Sequence, residues 1–321
     1  MVTSQAASTF SLVIPVFRNE ASIARLLDTL EDLNRTIGGD LEAVFVVDGS
    51  PDRSLEALTE GLPGASFAAQ VLVLSRNFGS FAAIAAGLAH ARGPLYAVMT
   101  ADLQEPPELM LEFRRRLLAG TCEVVVGTRG RRSDPLPSRI GSALFWGAYR
   151  WLVQRDVPPG GVDVFACTRV FRDHLLALPE RNTTLVGLVF WLGFSRAEVP
   201  YDRRPRQEGR SAWGLARRLR YLLDSTFAFS DLPIRFLSLT GLAGLLLAVV
   251  LGVVVAGARL RGDIQVPGYA ATILVVMFFG GLNSLGLGLL GEYLWRTFEN
   301  TKGRPGYVVA HHRRFGAAPG E

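Results

Sequence analysis

Two rhythms run along this chain, and they change near residue 200. In the first part, short and almost continuously apolar runs, "FSLVIPVF", "LEAVFVVD", "AQVLVLS", "PLYAVMT" and "CEVVVGT", alternate with stretches of helical period. Those stretches include "EASIARLLDTLEDLNR", "SLEALTEGL", "SFAAIAAGLAHAR" and "PELMLEFRRRLLAG". Strands that are apolar on both faces must be covered on both faces, and intervening helices supply the cover. The pattern therefore predicts an open α/β sheet. Beyond residue 235 the alternation disappears. No charge occurs from Phe236 to Ala258 or from Val266 to Gly291, and a hydrocarbon core about 30 Å thick needs roughly 20 helical residues. Two transmembrane helices follow, with a pair of buried core helices as the soluble alternative.

Between these regions, "SAWGLARRLRYLLDSTFAFSDLP" sets Trp213, Leu219, Leu222, Leu223 and Phe227 against Arg217, Arg218 and Arg220. That profile fits a helix lying in the membrane interface, and equally an ordinary amphipathic domain helix. The predicted division is a soluble domain over 1–212, a juxtamembrane segment over 213–235, a two-helix hairpin over 236–291 and a tail over 292–321. Glu292, Arg296 and Glu299 fall at salt-bridging helical spacing. His311 and His312 read as part of a disordered tail rather than as metal ligands.

Composition sharpens the picture. The 321 residues are 49% hydrophobic, high for a wholly soluble protein, and carry a net charge of +5. The basic residues crowd the membrane flanks. Arg203, Arg204, Arg206, Arg210, Arg217, Arg218, Arg220 and Arg235 precede the first apolar run, and Arg296, Lys302, Arg304, Arg313 and Arg314 follow the second. Only Arg259 and Arg261 lie between. By the positive-inside bias both chain ends are predicted cytoplasmic, and "MVTSQAASTF" does not read as an export signal. The expected location is the inner membrane, crossed more than once. Charge beside a membrane suits anionic lipid better than nucleic acid. Cys122 and Cys167 are too few and too far apart for a disulfide framework.

In open α/β sheets, ligands bind beyond the carboxyl ends of the strands. Here those ends read "PVFRNE", "VVDGSPD", "SRNFG", "TADLQEPPE" and "GTRGRR". One such stretch is loop chemistry; five in register argue for a site. Asp102 and Gln104 offer a carboxylate and an amide oxygen two residues apart, enough for Mg2+ or Mn2+ that completes its shell with water and phosphate oxygens. A metal-bridged diphosphate fits that count. Asp48 is suited to accept from a base or ribose, and Glu20 stands at a helix start, although Asp48, Asp52 and Glu20 are also placed to cap helices.

The stretches "IPVFRNE", "VVDGSPD", "SRNFGSFAAIAAGL", "ADLQEPPE", "GTR", "GGVDVFACTRVF", "RPRQEGRSAW", "FSDLPIR" and "LLGEYLWRTFENTKGRPGY" follow one another along nearly the whole chain. Together they resemble the family 2, GT-A-type polyprenyl-phosphate glycosyltransferases related to dolichol-phosphate mannose synthase. The resemblance implies a Rossmann-like GT-A domain with interfacial helices and two C-terminal transmembrane helices. It implies that Pro15, Glu20 and Asp48 hold the nucleoside, that Asp102 and Gln104 hold metal and diphosphate, and that Arg129 lies beside a phosphate. Asp163 matches the acidic position in the acceptor half, with Asp102, Asp163 and Arg129 forming the catalytic set. Arg206, Arg210 and Ser211, with Trp213, match the segment that meets the lipid phosphate. The implied partners are a nucleotide sugar, by resemblance to bacterial members a uridine one, and a polyprenyl phosphate. A homo-oligomer is left open.

Two positions depart from that pattern. Thr100 stands where the family usually has the first acid of "DADLQ", and Val47 where it has the first acid of "VDDGS". Loss of a carboxylate lowers the charge of a metal site and shifts neutralisation toward arginine. The expected activity is an inverting sugar transfer to a polyprenyl phosphate. A non-catalytic membrane scaffold or donor-sensing subunit is the rival. A processive polysaccharide synthase would need more membrane helices and a "QxxRW"-type segment.

Overall fold

A computed structural model of the chain describes residues 10–129, 145–159, 161–178, 180, 183–204, 215–261 and 268–316. The five apolar runs form strands β1 (Phe10–Val16), β2 (Leu41–Val47), β3 (Ala68–Leu74), β4 (Leu95–Val98) and β5 (Val124–Arg129). The four helical stretches become α1 (Ile23–Thr36), α2 (Ser54–Gly61), α3 (Ser80–His90) and α4 (Pro107–Leu118). After α5 (145–152) come β6 (Val162–Thr168), α6 (Arg169–Leu176), α7 (Leu185–Trp191) and β7 (Arg196–Tyr201). The chain continues through α8 (Leu215–Phe229), α9 (Leu232–Leu260), α10 (Tyr269–Thr301) and β8 (Val309–Phe315).

The strands make one sheet in the order β7-β5-β6-β4-β1-β2-β3-β8. β4, β1, β2 and β3 run parallel, whereas β6 is antiparallel to both β4 and β5. That reversal positions the site, because it brings the first residues of β6 to the edge where β4 and β5 end. Side chains alternate across the sheet as a period of two requires. Phe10, Leu12, Ile14 and Val16 of β1 pack with Leu26 and Leu30 of α1 and Phe113 of α4, while Val13 faces Ala83 and Ile84 of α3 on the other side. Each fully buried leucine or phenylalanine in these layers contributes roughly 1.5–3 kcal/mol. Gly87 lets α3 lie close on the sheet, since a Cβ there would sit 2.3 Å from Val13 Cγ1.

α9 and α10 are long and apolar enough to cross a membrane, over Leu232–Val254 and Val275–Thr301, and almost none of either span is buried. Leu239, Leu246, Val253, Val276, Met277 and Leu287 are each more than half exposed. Such surfaces are stable only against an apolar medium, so the core-hairpin alternative does not fit. The described part of α8 differs from a purely interfacial helix: Tyr221 and Ser225 are buried against the soluble domain, and Leu222 packs into its core. Tyr221 stacks on Tyr149 of α5 with ring centroids 5.9 Å apart. Leu223 is exposed, Asp224 pairs with Arg296 of α10 at 2.8 Å, and Phe227 lies edge-on to Tyr293. Arg296 also pairs with Glu292, as their spacing predicts, and Glu299 pairs with Lys302.

The expectation of a disordered tail is corrected. Residues 309–315 form β8, which adds antiparallel to β3 and satisfies backbone groups that β3 would otherwise present unpaired. His312 Nε2 donates to Gln70 Oε1 at 2.8 Å, while Gln70 Nε2 donates to Glu42 and to the His90 carbonyl. The His90 ring stands edge-on to His312, with centroids 5.4 Å apart. Partial burial, then the charges of His90, Arg314 and Arg92, hold His312 below its ordinary value of 6.5. Because protonation is disfavoured in the docked state, the contribution of His312 is present above that ordinary value and is lost as the pH falls through the depressed one. Hydrogen exchange, corrected for intrinsic rates, should show protection of the β8 amides declining as the pH falls below 6.5, with His312→Gln flattening the dependence. An unchanged profile in the variant would contradict this.

Candidate active site

Two groups of loops meet at the carboxyl edge of the sheet. The first surrounds β1, β2 and β3. Asp48, directly after β2, is buried, and its carboxylate accepts from the backbone N–H groups of Phe78 at 2.7 Å and Gly79 at 2.8 Å, where α3 begins. Gly49 follows at φ +59°, and a Cβ there would sit 2.4 Å from Asn77 N, so only glycine allows this approach. Asp52 accepts from Ser50, Ser54 and Glu20 N, while Glu20 accepts from Arg53 N at 3.1 Å. Partial burial works against the Asp52 carboxylate, yet these hydrogen bonds hold its pKa below the usual range. Pro15 lies half-buried within β1, opposite Val46. Asp48 and Glu20 thus act locally as loop anchors.

The second group is a charged network. After β4 the chain turns sharply, with Leu103 at φ +53°, a strained conformation for a branched residue. Thr100 Oγ1 lies 2.7 Å from Asp102 Oδ1 and closer still to Glu105 Oε2. Glu105 is fully buried, and burial first, then the charges of Asp163 and Asp102, raise its pKa. Among the described residues its Oε1 has no hydrogen-bond partner. Gln104 is engaged by Arg203 and Arg204. Its amide oxygen accepts from Arg203, its backbone oxygen accepts from Arg204 N at 2.9 Å, and Arg204 leans toward Glu108.

Three strands complete the network. Arg129 at the end of β5 donates to both oxygens of Asp163 on β6, from Nε at 2.6 Å and from a terminal nitrogen at 2.7 Å. Tyr201, ending β7, donates to Asp163 Oδ2 at 3.2 Å, and Arg203 approaches the same oxygen at 3.8 Å. Burial raises the Asp163 pKa, but the Arg129 hydrogen bonds and the charges of Arg129 and Arg203 outweigh it and hold the carboxyl below its ordinary value. Burial and the adjacent carboxylates push the Tyr201 phenol far up. Asp163 is therefore a fixed anion rather than a proton acceptor poised near neutrality.

Among the described residues, the carboxyl groups of Asp102, Glu105 and Asp163 lie near the guanidinium groups of Arg129 and Arg203. Among the described residues, no cluster of three or more His, Cys, Asp or Glu side chains forms a ready-made metal cage. Asp102 with the unpartnered buried oxygen of Glu105 nevertheless offers the one or two carboxylates that Mg2+ or Mn2+ takes when substrate phosphates and water supply the remainder. The donor chemistry fits a hard divalent cation.

The expected residues Asp102, Gln104, Arg129 and Asp163 thus share one network, while Glu20 and Asp48 belong to the adjoining loops and Pro15 to β1. Arg206, Arg210, Ser211 and Trp213 lie outside the described residues. Three participants had no assigned role. Glu105 was visible in "TADLQEPPE" as an acid beside two prolines, and Arg203 was read only as a membrane-flanking charge. Tyr201 joins through the pairing of β7 with β5, which no local motif announces.

Comparison with known proteins agrees with this layout. The glycosyl transferase family 2 profile matches residues 11–175. An undecaprenyl-phosphate 4-deoxy-4-formamido-L-arabinose transferase of Pseudomonas paraeruginosa is 34% identical over 93% of this chain and 88% of its own. A prophage bactoprenol glucosyl transferase homolog of Escherichia coli is 28% identical over 93% of this chain and 97% of its own. Among solved structures, glucosyl-3-phosphoglycerate synthase from Mycobacterium tuberculosis, in complex with Mn2+, uridine diphosphate and glucosyl-3-phosphoglycerate, superposes with a TM-score of 0.51. It is 20% identical over 69% of this chain and 79% of its own, a likeness of fold. The charged carboxyl edge thus sits in a sheet of known type, and the chain belongs to glycosyl transferase family 2.

Proposed function

We propose that this glycosyltransferase moves a sugar from a nucleotide donor, a uridine one by the family resemblance, to a polyprenyl phosphate at the cytoplasmic face of the membrane. The observation that carries the reading is the joining of the charged carboxyl edge to two membrane-length helices through α8. Tyr221 of α8 stacks on the soluble domain while Asp224 of the same helix pairs with α10. A site held in this way stands at the membrane, where a lipid-borne phosphate would be met. The positive-inside pattern supports placing the soluble domain and both chain ends in the cytoplasm. The names of the relatives support the acceptor class.

The chemistry follows from charge. A polyprenyl monophosphate carries roughly −1.5 to −2 charges near neutral pH, its second pKa being about 6, so it is already a nucleophile. No strong general base is required, which agrees with an Asp163 committed to Arg129 and Tyr201. Asp163 instead fixes the plane of the Arg129 guanidinium beside the phosphates. Asp102 would hold a divalent cation, which would supply positive charge to the departing nucleoside diphosphate. Gln104, Arg203 and the strained turn at Leu103 hold Asp102 in position. Alignment of the acceptor phosphate opposite the leaving group inverts the anomeric carbon. Arg206, Arg210 and Ser211 are the proposed contacts to the acceptor phosphate.

Membranes containing the full chain, incubated with labelled nucleotide sugars and undecaprenyl phosphate, should form a glycolipid. None across a broad donor panel would favour a donor-sensing scaffold. Asp102→Asn should lower transfer roughly 100-fold or more, and full activity in that variant would remove the diphosphate assignment. Arg206→Ala and Arg210→Ala should raise KM for the polyprenyl phosphate more than for the donor; the opposite ranking would contradict their placement.

A further inference from the structure

We propose that Glu105 stands in for the acid missing at position 100 and supplies the second carboxylate to the divalent cation. The inference rests on the reading of Asp102 as the first. Thr100 occupies the position before Ala101 and Asp102 where the resemblance leads one to expect a carboxylate. The structure fills that place from downstream. Glu105 folds back so that Oε2 meets the Thr100 hydroxyl, and the same hydroxyl meets Asp102 Oδ1 at 2.7 Å. One threonine oxygen thus joins two carboxyl groups that lie three positions apart in the chain.

The other oxygen of Glu105 decides the matter. Glu105 is fully buried, and Oε1 has no hydrogen-bond partner among the described residues. A buried, unsatisfied carboxyl oxygen is destabilising on its own, by an amount comparable to a lost hydrogen bond or more, and persists where a ligand completes it. The neighbourhood selects the ligand. A guanidinium is already present in Arg203, yet it donates to Gln104 and approaches Asp163. The Thr100 hydroxyl joins Glu105 to Asp102 in an all-oxygen set, and a small hard cation is the ligand that suits such a set and satisfies Oε1. The strained backbone of Leu103 lies between the two carboxylates in sequence and holds the turn that makes their approach possible.

The test is Mn2+ binding by the full chain in detergent, read from the electron paramagnetic resonance signal of free Mn2+ with and without uridine diphosphate. Glu105→Gln, which keeps the side-chain shape, should weaken Mn2+ binding about tenfold or more. Thr100→Asp added to Glu105→Gln should restore most of the loss by returning a carboxylate to position 100. Three results overturn the proposal: Glu105→Gln binding Mn2+ as tightly as the parent while Asp102→Asn loses it, a loss that Thr100→Asp does not repair, or an unchanged affinity in both single variants. The last result also removes Asp102 as a ligand and with it the diphosphate reading; the first two leave that reading intact.

Discussion

The carboxyl groups of Asp102, Glu105 and Asp163 converge at one end of the sheet, where water cannot neutralise them fully, and the fold is arranged around balancing their charge. The bidentate pair between Arg129 and Asp163 is the centre of that arrangement, because two parallel charge-assisted hydrogen bonds fix both orientation and charge. It exists because β6 runs antiparallel to β5 and so begins where β5 ends. β7 then places Tyr201 on the same carboxylate, and the segment after it brings Arg203 to Gln104. Removing one partner of such a pair would leave the other charge uncompensated, which is far more destabilising than replacing both.

From this centre the connections lead outward to the membrane. Tyr221 and Ser225 bury one side of α8 in the soluble domain, while Asp224 and Phe227 of the same helix engage Arg296 and Tyr293 of α10. After α10 the chain returns to the sheet as β8. The soluble domain is thus connected to the helical hairpin through α8 on one side and β8 on the other. The arginine-rich stretch before α8 in the sequence suits an anionic surface.

The parts of this organisation governed by local pattern were legible in the sequence. Continuous apolar runs announced β1 to β5, helical periodicity announced α1 to α4, and the charge-free stretches announced α9 and α10. The carboxyl-edge rule singled out Asp102 and the loops carrying Arg129 and Asp48. What escaped depends on distant pairing. β8 is an edge strand with mostly exposed side chains, including Arg313 and Arg314, so no apolar alternation marks it, and only the open edge of β3 calls for it. Leu222 reads as membrane-facing by helical spacing yet packs inward, because α5 and α7 offer a nearer apolar surface. Thr100 reads as a lost carboxylate because sequence comparison is position by position, whereas the contact of Glu105 with Thr100 depends on the turn at Leu103.

The most direct test of the central claim is the position of the donor diphosphate and its cation, found by anomalous scattering from crystals of the chain grown with Mn2+ and uridine diphosphate. The account predicts one manganese peak bonded to Asp102, with the diphosphate lying between that ion and the Arg129–Asp163 pair. Diphosphate bound with full occupancy elsewhere, with Asp102 touching neither ion nor phosphate, would contradict it.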